Sequence, residues 1–404
     1  MKITLIAGAR PNFMKVAPII KAIKAHNEGL PVTGDGLRDA NKRIEYRLVH
    51  TGQHYDKNMS DTFFEELGIP APNVNLGCGG GSQAEQTAAI MVAFEKELMA
   101  HPADVVLVVG DVTSTMACSI VAKKLNTKVC HVEAGIRSWD LTMPEEINRM
   151  VTDSLADYMF TTSDVANRNL IRQGAELVTG YGLQVTGERI LPEDKYANQR
   201  VQQRVWHVGN VMIDTLLANR ARFRKPDVWD ELGLKPQEFV VMTMHRPANV
   251  DEENHLRAMM EQIIDNVHNL PVIFPIHPRT AKLFYGLWGD EAELAKRLPN
   301  LHIVEPMGYL EFNYLVERAK AVVTDSGGIT EETTVMGVPC ITLRDNTERP
   351  ETCTVGTNEL IGTNPAAIKP ALDKLFAGEW KKGAIPELWD GHTAERIIAI
   401  LADL

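Results

Sequence analysis

Three carboxylates lie where an open α/β sheet would present side chains to a ligand. Asp111 follows the apolar run Val105–Val109, Glu133 follows Lys128–Val132, and Glu145 comes directly after a proline at the expected start of a helix. Ligands bind beyond the carboxyl ends of parallel strands, so all three are candidates for acid–base chemistry. The structural alternative is a helix cap for Asp111 and a favourable helix-dipole position for Glu145. Three carboxylates around one site are costly, however, unless some are protonated or transfer protons.

Two turns could hold an anion. The turn Gly8–Lys15 places Arg10 and Lys15 near a helix amino terminus, where backbone N–H groups favour phosphate. A plain turn with a solvated arginine explains Arg10 equally well, and the Gly-x-Gly-x-x-Gly pattern of a dinucleotide site is absent. The turn Ser326–Gly328 exposes further N–H groups, and Glu332 follows one helical turn later. That carboxylate could bind the hydroxyls of a ribose.

A histidine and an arginine complete the set in the second half of the chain. His245 follows the apolar run Phe239–Thr243 and is better placed to meet a ligand than to fill a core. Arg349 lies in the polar segment Arg344–Pro350, which follows another apolar run. A loop or cap explains any one of these residues about as well as a ligand does. The loop-or-cap explanation accounts poorly for the position of all these candidate residues at strand ends in both halves of the chain.

The composition is that of an ordinary globular protein. The chain has 404 residues, 44% hydrophobic and 24% charged, with a formal net charge of −11. This length predicts two or three domains, and the acidic balance argues against a general nucleic-acid binder, which needs a basic surface. A few focused basic groups could still bind an anionic ligand.

The cysteines and the amino-terminal run bear on location. Five cysteines without a Cys-x-x-Cys pair argue against a disulfide framework or a structural zinc site. The first apolar run is far too short to span a membrane and lacks the features of a signal peptide. We therefore expect a cytoplasmic protein.

Short apolar runs alternate with amphipathic ones in both halves, which predicts α/β structure with parallel sheets covered on both faces. The expected strands are Ile3–Ala7, Arg47–His50, Val105–Val109, Lys128–Val132, Tyr158–Thr161, Trp206–Val208, Phe239–Thr243, Val272–Ile276, His302–Val304, Ala321–Thr324 and Cys340–Leu343. The expected helices are Met14–Ala25, Asp61–Leu67, Gln83–Met99, Ser114–Leu125, Ala166–Gln173, Val211–Arg222, His255–Val267, Tyr309–Arg318, Ile329–Met336 and Thr393–Asp403.

This alternation predicts two Rossmann-like, doubly wound parallel-sheet domains with an interdomain cleft as the ligand site. We expect an N-terminal domain over residues 1–204 that carries the carboxylates and a C-terminal, nucleotide-binding domain over 205–390. Residues 391–404 form a final helix that could pack back on the N-terminal domain. Two segments, Gly34–Arg43 and Thr179–Gln203, show no clear period and are interpreted as inserted loops or linkers.

Several of these segments together resemble the non-hydrolysing UDP-N-acetylglucosamine 2-epimerases of the glycosyltransferase-B-like superfamily. The matching motifs read Gly-Asp-x-Thr-Ser-Thr, His-Val-Glu-Ala-Gly-Ile-Arg, Pro-Glu-Glu-Ile-Asn-Arg and His-Arg-Pro-Ala-Asn. The resemblance implies four catalytic residues, namely Asp111, Glu133, Glu145 and His245. It implies that the nucleotide sugar is bound by Arg10, Lys15, Phe312, Ser326, Gly327, Gly328, Glu332 and Arg349.

The resemblance also implies a reaction. UDP-N-acetylglucosamine and UDP-N-acetylmannosamine interconvert at carbon 2 when UDP is eliminated to give 2-acetamidoglucal and then added back. The expected protein is a homodimer that needs no cofactor and no metal, and it binds neither nucleic acid nor membrane. Three alternatives stay open: a hydrolysing 2-epimerase, a glycosyltransferase of the same two-domain fold, and a non-catalytic nucleotide-sugar sensor.

Overall fold

The computed structural model describes residues 1–29, 43–52, 67–174, 176–177, 203–276 and 278–404. These residues form two compact units, Met1–Ala218 together with Glu387–Leu404, and Asn219–Pro386. The predicted inserts Gly34–Arg43 and Thr179–Gln203 fall, except for their last residues, outside the described residues, as does most of the expected helix Asp61–Leu67.

The first unit is built on an eight-stranded sheet in the order β3-β2-β1-β4-β5-β6-β8-β7, in which every neighbouring pair is parallel. Its strands are β1 Lys2–Ala7, β2 Glu45–His50, β3 Val74–Asn75, β4 Val105–Val109, β5 Lys128–Val132, β6 Tyr158–Thr161, β7 Glu176–Leu177 and β8 Arg204–His207. Its helices are α1 Arg10–Asn27, α2 Gln83–Ala100, α3 Thr113–Lys124, α4 Pro144–Leu155, α5 Asp164–Arg172 and α6 Val211–Arg220.

Both faces of this sheet are buried, as the continuous apolar strands predict. In β4, Val105 and Leu107 join a core that includes α1 and the final helix, Thr393–Asp403, whereas Val106 and Val108 join a core that includes α2 and α3. The carboxyl ends of β4 and β5 are therefore neighbouring, rigidly packed positions.

The second unit contains a six-stranded parallel sheet in the order β11-β10-β9-β12-β13-β14. Its strands are β9 Val240–Thr243, β10 Val272–Pro275, β11 Leu301–Val304, β12 Ala321–Thr324, β13 Cys340–Thr342 and β14 Asn358–Leu360. Its helices are α7 Val228–Glu231, α8 Pro247–Val250, α9 Glu253–Asn266, α10 Pro278–Trp288, α11 Glu291–Arg297, α12 Tyr309–Arg318, α13 Gly327–Met336, α14 Pro350–Thr354 and α15 Ile368–Phe376, the last preceded by a 3₁₀ turn.

The expected fold class, two parallel-sheet α/β domains, is confirmed, but the units divide at a different place. The apolar strand that was expected to open the second domain is β8, and its Trp206 pairs with Phe160 of β6. The first unit therefore continues to Ala218 instead of ending at residue 204. The sequence misleads here because β8 follows a long segment without hydrophobic periodicity, and such a segment is typical of a linker between domains.

The final helix, α16 Thr393–Asp403, belongs to the first unit. Its Ile397 and Leu401 join the same buried core as Ile19 of α1. Asp214 of α6 accepts hydrogen bonds from the backbone N–H groups of Thr393 (3.1 Å) and Ala394 (2.6 Å), and so satisfies the first turn of this helix from a distant part of the chain.

Two further observations concern the described residues. No helix among them is both long enough and apolar enough to cross a lipid bilayer. All five cysteines are free thiols, and burial raises the pKa of Cys118 and Cys130 well above the ordinary value.

Candidate active site

Asp111 follows β4 through Gly110, whose φ of +73° allows the chain to turn sharply. It does not cap α3, because the N-cap position is Val112. Its carboxylate, 31% exposed, forms an ion pair with Arg149 of α4, which is only 6% exposed. Asn148 of α4 donates a hydrogen bond of 2.8 Å to the Asp111 carbonyl. The buried arginine thus holds the more exposed carboxylate in place.

Glu133 follows β5, the strand next to β4, and has a φ of +70°, which is rare for a residue with a side chain. Its carboxylate is 3% exposed and lies 2.6 Å from Lys15 Nζ of α1. A Cβ atom built on Gly110 would lie 3.3 Å from Lys15 Nζ and 3.7 Å from Glu133 Oε2. The structure therefore brings Glu133 and Lys15 together against the turn that leads to Asp111.

Glu145 and Glu146 begin α4, whose first residue is Pro144, and the two differ completely in surroundings. Glu145 is exposed, whereas Glu146 is fully buried. The Glu146 carboxylate accepts hydrogen bonds from the backbone N–H groups of Ser138 (2.9 Å) and Trp139 (3.1 Å), and it pairs with Arg149 at 2.8 Å. Glu146 thus anchors Arg149, which in turn pairs with Asp111. Glu145 is exposed and accessible to a ligand.

In the turn Gly8–Lys15, the first candidate anion site, two backbone N–H groups are already hydrogen-bonded within the turn. The backbone N–H groups of Gly8 and Ala9 both donate to Asn12 Oδ1, at 3.3 and 3.0 Å. These amides are therefore already used, so an anion here would depend on side chains. The helix begins at Arg10, but the side chain of this residue lies outside the described part of the structure.

In the second unit, His245 lies after β9 and above Asp325, which follows the neighbouring strand β12. The imidazole is 64% exposed, and its Nδ1 lies 2.8 Å from Oδ1 of the fully buried Asp325. The other carboxylate oxygen accepts from the backbone N–H groups of His245 (2.9 Å) and Arg246 (2.8 Å). Burial would raise the pKa of Asp325, but these bonds and the charge of His245 lower it to about 2. The carboxylate orients the imidazole so that Nε2 is the nitrogen left to meet a ligand.

The turn directly after Asp325 carries Ser326 and the two glycines Gly327 and Gly328, with α13 beginning at Gly327. A Cβ atom built on Gly327 would lie 3.7 Å from Nη1 of Arg344. Glycine at this position therefore leaves the helix start open beside a guanidinium group. Arg344 itself is held by both oxygens of Glu348, each at 2.8 Å. The Ser326 N–H group already donates to Thr324 Oγ1 at 3.0 Å, so an anion at this helix start would depend on the amides of Gly327 and Gly328 and on the nearby arginine.

Three more predicted residues lie on α12, α13 and α14 or next to them. Arg349, just before α14, forms a buried ion pair with Glu331 of α13. The buried carboxylate of Glu332 accepts a 2.8 Å hydrogen bond from the Tyr309 hydroxyl, and burial raises the pKa of Glu332 to about 7. Phe312 is half-buried on α12 and packs against the core of this unit.

Comparison with known proteins gives a consistent result. The profile of a family described as UDP-N-acetylglucosamine 2-epimerase matches residues 38–402. The UDP-N-acetylglucosamine 2-epimerase of Methanocaldococcus jannaschii is 36% identical over 410 residues, which cover 99% of each chain. Its crystal structure with UDP-GlcNAc and UDP superposes with a TM-score of 0.79 at 35% identity and full coverage of both chains. The UDP-2,3-diacetamido-2,3-dideoxy-D-glucuronate 2-epimerase of Pseudomonas aeruginosa is 35% identical over 364 residues, 90% of this chain and 88% of that protein.

The chain belongs to the UDP-N-acetylglucosamine 2-epimerase family. The family resemblance seen in the sequence is therefore confirmed, and so is the two-domain fold of the family. Among the described residues, no group of three or more His, Cys, Asp and Glu side chains is arranged to hold a metal ion.

Sequence reasoning missed three residues of this epimerase-family chain that fix candidate side chains within each unit. Arg149 and Glu146 fix Asp111, and Asp325 fixes His245. The spacing of Glu146 and Arg149 by three residues on one helix was a usable signal, since such residues lie on the same face. Asp325 directly precedes the predicted phosphate turn, so its position at a strand end was a second signal.

Proposed function

We propose that the chain interconverts UDP-N-acetylglucosamine and UDP-N-acetylmannosamine at carbon 2 without net hydrolysis. The observation that carries this proposal is the placement of Asp111 and Glu133 at the ends of adjacent strands, each paired with its own cation. Two carboxylates in one region, each beside a cation, can take and return protons. Membership of the 2-epimerase family supplies the substrate class.

The hydrogen on carbon 2 is not acidic, so simple deprotonation of the intact sugar is implausible. Loss of that proton together with departure of UDP from carbon 1 gives 2-acetamidoglucal, and reprotonation on the opposite face with return of UDP inverts carbon 2. We assign Asp111 as the base for the first proton, because its carboxylate is accessible and pairs with a buried guanidinium. Glu133 and Glu145 would serve the proton transfers that remain. Positioned groups of this kind contribute about 10²–10⁴-fold to a rate.

UDP needs positive charge and hydrogen-bond donors as it departs. We assign this task to His245, whose ring is oriented by Asp325, and to the Ser326–Gly328 helix start. Arg10, Lys15 and Arg349 would add positive charge. Glu332 would bind the ribose hydroxyls and Phe312 would pack against the uracil ring.

The decisive experiment incubates the purified chain with UDP-N-acetylglucosamine alone in D₂O. We expect an equilibrium mixture that contains UDP-N-acetylmannosamine, with deuterium at carbon 2 of both sugars, as measured by NMR. Free N-acetylmannosamine with UDP would indicate a hydrolysing enzyme. Epimerisation without deuterium, or only after addition of NAD, would overturn the elimination mechanism.

A second substrate has a specific observation in its favour. The Pseudomonas relative named for UDP-2,3-diacetamido-2,3-dideoxy-D-glucuronate is nearly as similar to this chain as the Methanocaldococcus enzyme is. Both substrates are epimerised at the C–H bond of carbon 2, so the same carboxylates would transfer the proton in either reaction. Comparing kcat/KM for the two nucleotide sugars decides between them, and a higher value for the diacetamido glucuronate would replace our first choice.

We also propose that the chain works as a homodimer in the cytoplasm. Val92 and Met99 of α2 and Ile147 and Met150 of α4 are exposed apolar side chains, and α3 packs between these two helices. Such a face on a single unit suits a two-fold contact with a second copy. Light scattering should give twice the chain mass for the wild type and the single-chain mass for Val92→Glu. Five free thiols suit a reducing compartment.

A further inference from the structure

A buried cluster of three charged side chains lies beneath the two carboxylate-bearing turns. His131 of β5, Asp153 of α4 and Arg137 of the intervening loop have side chains with no solvent exposure. His131 pairs in the sheet with Val108 and Met159, which belong to an apolar core. Packing alone does not account for ionisable groups in such a place, because burying them is costly unless they are fully bonded.

The bonds of this cluster end on the backbone of both turns. His131 Nε2 lies 2.8 Å from the carbonyl oxygen of Gly110, and Nδ1 lies 2.6 Å from Asp153 Oδ1. Asp153 Oδ2 accepts from the N–H group of Gly135 at 3.1 Å and pairs with Arg137 Nη1 at 2.6 Å. One continuous set of bonds therefore links the end of β4 to the loop after β5.

Both turns need such support. Gly110 precedes Asp111, and Glu133 begins the turn that contains Gly135; the φ angles of Gly110, Glu133 and Gly135 are +73°, +70° and +77°. A side chain on Gly135 would come within 2.4 Å of the Ala166 carbonyl oxygen, so this turn is also packed tightly. A non-glycine residue with positive φ persists only where its surroundings fix it, and such residues concentrate at functional sites.

The partners of His131 occupy both of its ring nitrogens. A backbone carbonyl can only accept, so Nε2 donates a hydrogen bond to the Gly110 carbonyl. Burial would raise the pKa of Asp153, but the charges and hydrogen bonds of His131 and Arg137 hold it below its ordinary value. Nδ1 of His131 is bonded to the Asp153 carboxylate. The ring is therefore fixed at both nitrogens.

We propose that His131 is a positioning residue for the reaction: its Nε2–H bond to the Gly110 carbonyl, anchored through Asp153 to the Gly135 amide, fixes Asp111 and Glu133 at the spacing that proton transfer needs. This inference rests on the proposed function, in which these two carboxylates act on the sugar. A displacement of about 1 Å at a reacting group reduces a rate by about 10²-fold.

Three substitutions at His131 test the proposal. His131→Phe fills an apolar face and leaves Asp153 and Arg137 as a balanced pair, so this variant should fold. We expect kcat to fall about 10- to 100-fold, with the KM and the Kd for UDP unchanged within about 2-fold. His131→Gln keeps an N–H group at the position of Nε2 and should restore most of kcat. His131→Asn keeps only the donor toward Asp153 and should not restore it.

The matched control is His207→Phe, which replaces a half-buried histidine of β8 and should leave kcat unchanged. Wild-type kcat in His131→Phe overturns the proposal, and so do Gln and Asn variants whose activities follow only their melting temperatures. If His131→Phe fails to fold, the difference between the Gln and Asn variants still decides.

Hydrogen exchange separates this inference from the proposed function. Amides in residues 110–115 and 133–137 should exchange faster in His131→Phe or His131→Asn than in His131→Gln. Faster exchange in these variants, together with a wild-type chain that does not epimerise the sugar, would overturn the proposed function while retaining the role of His131 in supporting the turns. Unchanged exchange in an active enzyme would overturn the positioning role alone.

Discussion

Each unit pairs a more exposed ionisable side chain with a buried partner, but the acidic and basic members exchange places between the units. In the first unit the carboxylate of Asp111 is the more exposed member and the guanidinium of Arg149 is the buried one. In the second unit an imidazole, that of His245, is presented in front of a buried carboxylate, that of Asp325. The buried partner fixes the orientation of the exposed one in both cases. Under the proposed function, the first arrangement presents a proton acceptor to the sugar and the second presents a hydrogen-bond donor to the diphosphate.

The largest effect is expected when the buried partner of the first unit is removed. Arg149→Met leaves Glu146 as a fully buried carboxylate without its cation and also releases Asp111. We expect the free energy of unfolding in urea to fall by about 3–5 kcal/mol. The control Arg220→Met breaks the more exposed pair with Glu317 and should change it by no more than about 1 kcal/mol. Equal losses in the two variants would contradict the distinction between buried and exposed pairs.

The next effect comes from removing the presented carboxylate. Asp111→Asn retains an oxygen that can accept from Arg149 but cannot take a proton, so turnover should fall by about 10²-fold or more. The melting temperature should change little and the Kd for UDP should stay unchanged, because Asp111 does not cap α3 and Arg149 keeps its buried partner Glu146. Asp164→Asn, at an exposed ion pair on α5, is the control. Full activity with a lowered melting temperature would show that Asp111 is structural.

The buried carboxylate of the second unit should make stability depend on pH. The pKa of Asp325 is lowered to about 2 in the folded chain, so it contributes stability above about pH 4 that is lost as the pH falls toward 2. The unfolding free energy of the wild type minus that of Asp325→Asn should therefore decrease by about 2 kcal/mol as the pH falls from 6 to 2.5. A difference that is constant with pH would contradict a charged Asp325.

Asp214 of the first unit should give the opposite slope, with an effect of similar size. Burial raises the pKa of Asp214 to about 6, although the amides at the start of α16 act against this shift. A raised pKa stabilises the fold below about pH 4, and that contribution is lost as the pH rises through 6. The wild type minus Asp214→Asn difference in unfolding free energy should fall by about 2 kcal/mol between pH 4 and 7. A rise over that range would reverse our assignment.

The sequence predicts the long buried elements well because continuous apolar runs leave few alternatives. The bounds of β4, β5, β6, β12 and α12 agree with those expected from the sequence. The strands β3, β7 and β14 escape prediction, because a run of two or three residues is too short to show hydrophobic periodicity. The domain boundary was wrong because pairing between β6 and β8 is a long-range property that no local pattern reports.

The candidate site shows the same limit. Residue type and strand position identified Asp111, Glu133 and His245 as candidates, and their roles stay predictions. The sequence could not tell which of the adjacent Glu145 and Glu146 is buried, because this depends on the rotation of α4 against the sheet. Nor could it show that Lys15 contacts Glu133, since their pairing joins residues from distant parts of the chain.

The discontinuous first unit has a consequence for synthesis on the ribosome. Its core needs Ile397, Ile398 and Leu401 to cover the apolar face of α1, and these residues emerge only after the whole of Asn219–Pro386. Domains usually fold as they emerge, so the second unit should be complete while α1 is still uncovered. A nascent chain stalled before Glu387 should resist protease in its later half and be cleaved in its earlier half.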